Sequence, residues 1–218
     1  MESNYHHILA GYVETQNLDV VELKQAFQDL IATCNLRFQQ RLLSPYTIST
    51  GNEFIGVADS QKSLLETVFY LEEESLNRQV PFRVRYVALE GTIDTPINSK
   101  TAHGMIGVGL KEARDRLVIK SRGKPRIQFY LRDYHTINNI QKLFIVIDGI
   151  VSRWKKKDGP LIIEMINHKR DSIVGDIFNK SRSQIWKRRG NLQITEYCII
   201  KDLILEHAPG LTHNPEGL

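Results

Sequence analysis

Basic and hydrogen-bonding side chains are concentrated between residues 171 and 190, where the chain reads DSIVGDIFNKSRSQIWKRRG. From residue 180 to the end of this stretch there is no acidic residue. Guanidinium, ammonium and amide groups gathered on one surface suit the phosphates and base edges of nucleic acid. The candidate DNA-binding residues are Lys180, Ser181, Arg182, Ser183, Gln184, Trp186, Lys187, Arg188 and Arg189.

Two short helices joined by a tight turn are predicted to position these side chains. The first helix has one apolar stripe at i, i+3, i+4 spacing, formed by Val174, Ile177 and Phe178. Gly175 beside this stripe offers a small surface on which another helix can cross closely. Asn179 tolerates a left-handed turn, and Ser181 and Gln184 have the spacing of a capping box that opens the second helix. The pattern predicts a helix-turn-helix.

A helical hairpin with a solvated basic face is the alternative interpretation, because charged runs on helices commonly do no more than face water. Within the second helix, Ile185 alone is expected to point inward. Trp186 could contact the DNA sugar backbone or pack on a neighbouring helix. We favour packing, because tryptophan is usually mostly buried.

Ahead of this segment, strand-like and helix-like patterns alternate. The predicted elements are a strand at 5–13, a helix at 19–40, strands at 46–50 and 54–58, a helix at 61–76, a strand at 82–89, a helix at 107–119 and a strand at 126–131. Gly51 and Asn52 between the second and third strands predict a β-hairpin. The β-α-β-β-α-β-α-β order predicts an α+β fold with a ferredoxin-like or palm sheet whose helices cover one face.

The remainder of the chain is predicted to be helical. A helix from Thr136 to Lys156 would connect two domains, with Lys155, Lys156 and Lys157 at its negative end. The stretch 192–205 is apolar on more than one side, which predicts a homodimer whose paired recognition helices reach adjacent half-sites. The expected organisation is a palm-like domain at 1–134, an all-α helix-turn-helix domain at 135–208 and a disordered tail at 209–218.

Composition permits this interpretation without requiring it. The 218 residues carry a net charge of +4, so the clustering of cations matters more than their total. Cys34 and Cys198 are expected to be buried free thiols, since they have no paired spacing for zinc or a redox centre. No apolar run has the length needed to span a bilayer, and we expect a cytoplasmic protein with no membrane partner.

Three segments of the chain resemble the signature regions of the SatD family. They are ILAGYVE near the start, STGNEFIGV at the hairpin and GVGLKEARDRL after the fourth strand. The resemblance implies a palm domain similar to GGDEF and class III nucleotide cyclase domains, followed by a C-terminal helix-turn-helix.

In the cyclase-like relatives, an acidic residue on the first strand and another at the hairpin tip hold divalent metals against nucleotide phosphates. The matching positions here are Tyr12 and Asn52. A phenol and a carboxamide are poor substitutes for hard oxygen anions, and Glu14 and Glu53 nearby do not restore the pair. We therefore expect no metal, no catalytic residues and no cofactor.

A site that has lost catalysis can retain binding. We expect three parts of the chain to converge on one edge of the sheet: the hairpin tip, the loop after Glu90 and the start of the helix predicted at 107–119. Backbone amides at the start of a helix favour an anion there. The candidate residues for a nucleotide or phosphate ligand are Tyr12, Asn52, Glu53, Gly107, Lys111 and Arg114. Alternatively, the glycines form a tight turn, and Lys111 and Arg114 face solvent beside Glu112 or Asp115.

Taken together, these patterns predict a DNA-binding transcriptional regulator with a catalytically degenerate sensor or dimerisation domain. One alternative is a metal-dependent nucleotide cyclase or nucleotidyltransferase that uses Glu14, Glu53 and Lys111. Another is a protein-interaction module that docks an acidic partner. Serine-nucleophile and P-loop motifs do not occur, and the histidines lack ligand spacing.

Overall fold

The computed structural model describes residues 5–14, 20–118, 125–132 and 134–208. The strands within these ranges are β1 (Tyr5–Glu14), β2 (Leu42–Thr50), β3 (Glu53–Ala58), β4 (Arg83–Thr92) and β5 (Ile127–Tyr130). The first helices are α1 (Val20–Arg37), α2 (Gln61–Asn77) and α3 (Val108–Val118). They are followed by α4 (Tyr134–Val151), α5 (Gly159–Asn167), α6 (Asp171–Phe178), α7 (Arg182–Asn191) and α8 (Ile194–His207).

The strands form one mixed sheet in the order β2-β3-β1-β4-β5. Its neighbouring strands are antiparallel except β4 and β5, which are parallel. The hairpin predicted at Gly51 and Asn52 is confirmed, since β2 and β3 pair on either side of these two residues. The central strand β1 places Tyr12 opposite Glu53 on one side and opposite Arg85 on the other.

Helices cover both faces of this sheet. Leu9 and Val13 of β1 belong to a core that includes side chains of α1 and α2. Ile8 and Ala10 belong to a second core with residues of α3 and of the loop that precedes it. The expectation of helices on one face alone is wrong. The central strand has apolar side chains on both of its faces, and helices cover each face.

A close backbone approach seats α3 on the second face. A Cβ atom added to Gly91 of β4 would lie 2.6 Å from the Cα atom of Gly109 in α3. The loop between β4 and α3 also crosses to the far edge of the sheet, where the Ala102 amide donates to Thr47 Oγ1 at 2.9 Å. Strand β4 and helix α3 therefore meet in the way that only paired glycines allow.

The edge strand β2 is irregular. Its register with β3 shifts at three places. Tyr46 lies within one of these shifts, and its backbone amide and carbonyl both bond to the side chain of Asn35 in α1, at 2.9 and 2.8 Å. The Asn35 amide thus takes the place of a neighbouring strand at this point.

One continuous apolar core joins the sheet to the C-terminal helices, running from Leu9 of β1 to Ile204 of α8. Glu73 of α2 reinforces the junction, since its carboxylate accepts from Tyr197 OH at 2.8 Å and from Lys201 Nζ at 2.6 Å. A division into separate domains at residue 134 stays a prediction.

Helix α4 is shorter than predicted, because it ends at Val151 and not at Lys156. Trp154 leaves the helix path, is buried, and donates from its indole nitrogen to the carbonyl of Leu192 at 2.9 Å. Lys156 and the two residues after it form a short 3-10 helix (Lys156–Asp158) that leads into α5. The lysine run therefore does not complement the negative end of α4.

Both cysteines are free, with Cys34 buried and Cys198 half-buried. In the described part of the chain, no helix combines the length and the apolar character that a membrane crossing requires. The predicted first residue of α1, Asp19, and the predicted tail at 209–218 lie outside the described residues.

Candidate nucleic-acid interface

The turn between α6 and α7 has the geometry that the sequence predicts. Asn179 ends α6 in the left-handed region, at φ 52° and ψ 46°. Ser181 then caps α7, because its side chain accepts from the Gln184 amide while Gln184 Oε1 accepts from the Ser181 amide at 2.9 Å. This reciprocal capping box satisfies two amides that the helix leaves free. The start of α7 is therefore rigidly defined.

Gly175 of α6 lies against the backbone of the turn that leads into α7. A Cβ atom added to Gly175 would lie 2.5 Å from the carbonyl oxygen of Lys180. The small residue therefore makes room for the returning chain, and not for a crossing helix as predicted. Val174 and Ile185 are fully buried, whereas Ile177 of the predicted stripe is 51% exposed.

The outward face of α7 is polar and basic. Its exposed residues include Arg182, Ser183, Gln184 and Lys187, and Lys180 is exposed in the turn ahead of them. Among the described residues, Lys180, Arg182 and Lys187 have no ion-pair partner. Because α7 contains no acidic residue, these three positive charges are available to a partner.

Arg189 points into the protein, contrary to the prediction. Its Nε donates to Asp171 Oδ1 at 2.7 Å, and its two terminal nitrogens donate to the carbonyls of Met165 and His168 at 2.6 and 2.7 Å. The side chains of Arg189 and Asp171 are only 14% and 13% exposed. With three separate acceptors, this guanidinium joins α5, α6 and α7 and is not available to DNA.

Arg188 is also engaged by the protein itself. Its terminal nitrogen donates to Asp158 Oδ2 at 2.6 Å, although the Arg188 side chain stays 40% exposed. The expectation that every cation of the second helix faces outward is therefore wrong for these two arginines. Both carboxylates come from earlier elements, and so the pairing is a tertiary contact.

Trp186 is 70% exposed, and the prediction that it packs on a neighbouring helix is wrong. Ile185, one residue earlier, takes the buried position of this turn. Ile173 and Ile177 of α6 are also exposed large apolar side chains.

A second group of cations lies beside the last turn of α7. Lys155, Lys156 and Lys157 are exposed, and the ion pair between Asp158 and Arg188 brings their segment against α7. The sequence shows the run of lysines plainly. Its position next to α7 depends on a contact across 30 residues, which the run itself does not reveal.

The six candidate ligand residues are not brought together. Tyr12 and Glu53 are cross-strand partners, and Asn52 lies beside them, where its carbonyl accepts from the Val13 amide at 2.8 Å. A Cβ atom added to Gly107 would lie 2.5 Å from the Thr92 carbonyl, and Thr92 pairs with Tyr5. Tyr5 and Tyr12 are seven positions apart on β1, which is about 23 Å at about 3.3 Å per residue.

The two basic candidates lie on α3, on the second face of the sheet. Lys111 is exposed and Arg114 half-buried. Glu112 pairs with Arg116, whose guanidinium lies 3.7 Å from the centre of the Tyr130 ring. Glu112 is therefore engaged by an arginine other than the one we considered.

Arg85 is a residue that the sequence analysis missed. It lies opposite Tyr12 on β4, so Glu53, Tyr12 and Arg85 form a row across three strands. Directly opposed residues of antiparallel strands present their side chains on the same face. The position of Arg85 opposite Tyr12 follows only from the strand register.

This row does not suit a divalent metal. Tyr12 packs against the second apolar core, and a phenol and a guanidinium leave Glu53 as the one carboxylate of the row. Magnesium requires several hard oxygen ligands. Among the described side chains, which do not include that of Glu14, no group of three or more histidine, cysteine or acidic residues is placed to hold a metal ion.

Comparison with known proteins gives a match at the level of families. The model of the SatD family matches residues 5–187. No curated protein matches the chain.

Proposed function

Because the chain belongs to the SatD family, we propose that it is a cytoplasmic DNA-binding transcriptional regulator, with α6 and α7 as its helix-turn-helix and α7 as the recognition helix. The observation that carries this proposal is the outward face of α7. Arg182 and Lys187 are exposed there without a carboxylate partner among the described residues, and Ser183 and Gln184 lie between them. Base edges and phosphates of a major groove accept hydrogen bonds from these groups.

The rigid start of α7 supports the same proposal. Recognition helices contact base edges mainly through their N-terminal residues. In α7 these residues follow a capping box and a left-handed turn. A backbone that is already fixed before binding loses less conformational entropy when DNA is bound.

Binding to duplex DNA tests the proposal directly. We expect Arg182→Gln with Lys187→Gln to weaken binding and to lower the slope of log K against log salt by about 2, since each lost phosphate contact removes about 0.9. The matched control is Lys24→Gln with Lys100→Gln, which removes two exposed charges from the sheet half of the molecule. Fluorescence anisotropy with duplexes selected from a random pool measures both effects.

The proposal fails if no duplex binds at low salt, or if the two pairs of substitutions have the same effect on the slope. The exposed Trp186 and Ile177 favour a second candidate, a protein-interaction module that docks an acidic partner. Absence of DNA binding, together with binding to an acidic polypeptide that depends on Trp186, would support that candidate.

We propose that the sheet half is a degenerate nucleotide-cyclase-like palm that senses a ligand or organises a dimer. The β2-β3-β1-β4 order with two helices on one face is typical of a ferredoxin-like sheet, which supports this assignment. The row of Glu53, Tyr12 and Arg85 is the proposed place for a nucleotide. Incubation with ATP or GTP plus magnesium or manganese, with products separated by chromatography, distinguishes a binding role from the cyclase alternative.

We further propose that the regulator is a homodimer. Four large apolar side chains are exposed on two helices that pack against each other: Ile145 and Val146 on α4, and Ile199 and Leu203 on α8. Light scattering is expected to give a dimer, and Ile199→Glu is expected to weaken it. Leu36→Glu, which changes a 70% exposed side chain on α1, is the control. A wild-type monomer at tens of micromolar would contradict this.

A further inference from the structure

The positions of the exposed residues Lys155, Lys156 and Lys157 do not give these side chains a role in stabilising the fold. They lie beyond the end of α4, which stops at Val151. They precede α5, whose N-terminal positive dipole does not favour nearby cations. Among the described residues, none of the three has an ion-pair partner.

Two tertiary contacts hold the segment of these lysines against α7. On one side, buried Trp154 donates to the Leu192 carbonyl, one residue beyond the end of α7. On the other side, Asp158 pairs with Arg188 in the last turn of α7. The lysines lie between these two contacts, so the fold sets their position relative to the recognition helix.

A fourth cation extends this group. Arg83, at the start of β4, lines the same small cavity as Lys156. Partial burial, and then the charge of Arg83, lower the pKa of Lys156. Two carboxylates of this region are already engaged: Asp158, which follows the lysines, pairs with Arg188, and Glu72, which lines the same cavity, pairs with Arg126. Among the described side chains, which do not include that of Glu14 opposite Arg83, these like charges are held together without an ion-pair partner, as in surfaces that bind a polyanion.

We propose that Lys155, Lys156 and Lys157, with Arg83 beside them, form a second phosphate-binding surface that contacts the DNA backbone flanking the groove occupied by α7. The inference rests on the proposed function and deepens it. Arg182 and Arg188 are separated by about 9 Å of helix, and the major groove is about 12 Å wide. When the first turn of α7 contacts base edges, its last turn and the adjoining lysines reach the backbone.

The test compares two triple variants of the full chain in the salt dependence of duplex binding. We expect Lys155→Gln with Lys156→Gln and Lys157→Gln to reduce the slope of log K against log salt by about 2 to 3, since each phosphate contact contributes about 0.9. The control changes Lys24, Lys62 and Lys100 to glutamine, which removes the same charge from the sheet half. Replacing the same three lysines by arginine keeps their charge, and we expect this variant to have the slope of the wild type.

Each outcome is decisive for this surface. Equal slopes for the two glutamine triples overturn the second surface and leave the recognition helix in place, provided that Arg182→Gln with Lys187→Gln still lowers the slope. Absence of duplex binding by the wild-type chain overturns both proposals. The same melting temperature in all variants shows that a lost slope does not come from unfolding.

Discussion

Arg189 donates to one carboxylate and two backbone carbonyls, and these bonds neutralise its charge where α5, α6 and α7 meet. Two residues earlier, Lys187 is exposed. Arg189 has a tertiary contact with Asp171, 18 positions away, whereas Lys187 has no such contact among the described residues. No local sequence pattern reveals this difference. The sequence therefore predicts the basic character of α7 correctly but not which charges are available.

We expect Arg189→Ala to lower the free energy of unfolding by about 3 kcal/mol, because it leaves the largely buried Asp171 without its partner. Urea denaturation measures the change. Lys187→Ala is the control and is expected to unfold like the wild type, since that side chain is exposed. Equal stability of the two variants would contradict the internal role of Arg189.

Burial raises the pKa of the Cys34 thiol to about 12, whereas an exposed thiol has a pKa of about 8.5. The folded state therefore favours the neutral thiol, and this contribution to stability is complete below about pH 8.5 and lost as the pH rises towards 12. We expect the free energy of unfolding to fall above about pH 8.5. Cys34→Ala should reduce that fall by at most about 1.4 kcal/mol per pH unit.

Urea denaturation of the wild type and Cys34→Ala at several pH values between 8 and 10 measures this difference. The range ends at the ordinary tyrosine pKa of about 10, because burial also raises the pKa values of Tyr46, Tyr86 and Tyr197 in the folded state. These tyrosines lower stability only at a pH at which the unfolded chain ionises them. Parallel stability curves for the two proteins would show that Cys34 does not contribute.

At the scale of elements, local patterns predict most of the sheet half. The strand and helix periodicities and the Gly51–Asn52 turn place the elements within a few residues of their observed bounds. The end of α4 is different, because the apolar pattern continues through Trp154 while the chain turns to bond with Leu192. The prediction that the candidate ligand residues converge is wrong for a similar reason, because strand register, and not a local pattern, sets their positions.

The turn between α6 and α7 gives a prediction at the same scale. We expect Gly175→Ala to destabilise the protein by about 1 to 3 kcal/mol, because the new methyl group meets backbone that cannot move aside easily. Gly190→Ala is the matched control in α7, where a Cβ atom would meet nothing within 4 Å. That change should stabilise the protein by about 0.5 to 1 kcal/mol.

Thermal or urea denaturation of the two glycine variants decides this point. A neutral effect of Gly175→Ala would show that α6 and α7 can separate at the turn. Such freedom would weaken the view that the helix pair is presented to DNA as one rigid unit.

At the scale of the whole molecule, the sheet and the C-terminal helices share one apolar core. Trp154 is buried at this junction, whereas Trp186 is exposed on α7. We expect Trp186→Phe to leave stability unchanged and to make fluorescence a probe of the junction alone. Unfolding followed by that fluorescence and by far-ultraviolet circular dichroism should then have the same urea midpoint.

Two separate midpoints would show that the helical part unfolds independently of the sheet. That result would favour the domain division at residue 134. A single midpoint would mean that α7 and the sheet are thermodynamically coupled, so that a ligand of one half can change the stability of the other.

The amide side chain of Asn35 has a consequence for how copies of this chain can meet. An exposed edge strand normally offers its backbone as a template for another strand, which is a common route to aggregation. At Tyr46 both backbone groups are already occupied, and the shifted register bends the rest of β2. A second strand that approaches the sheet from this side finds no free backbone partner at Tyr46, so growth of the sheet by stacking chains edge to edge is disfavoured along β2.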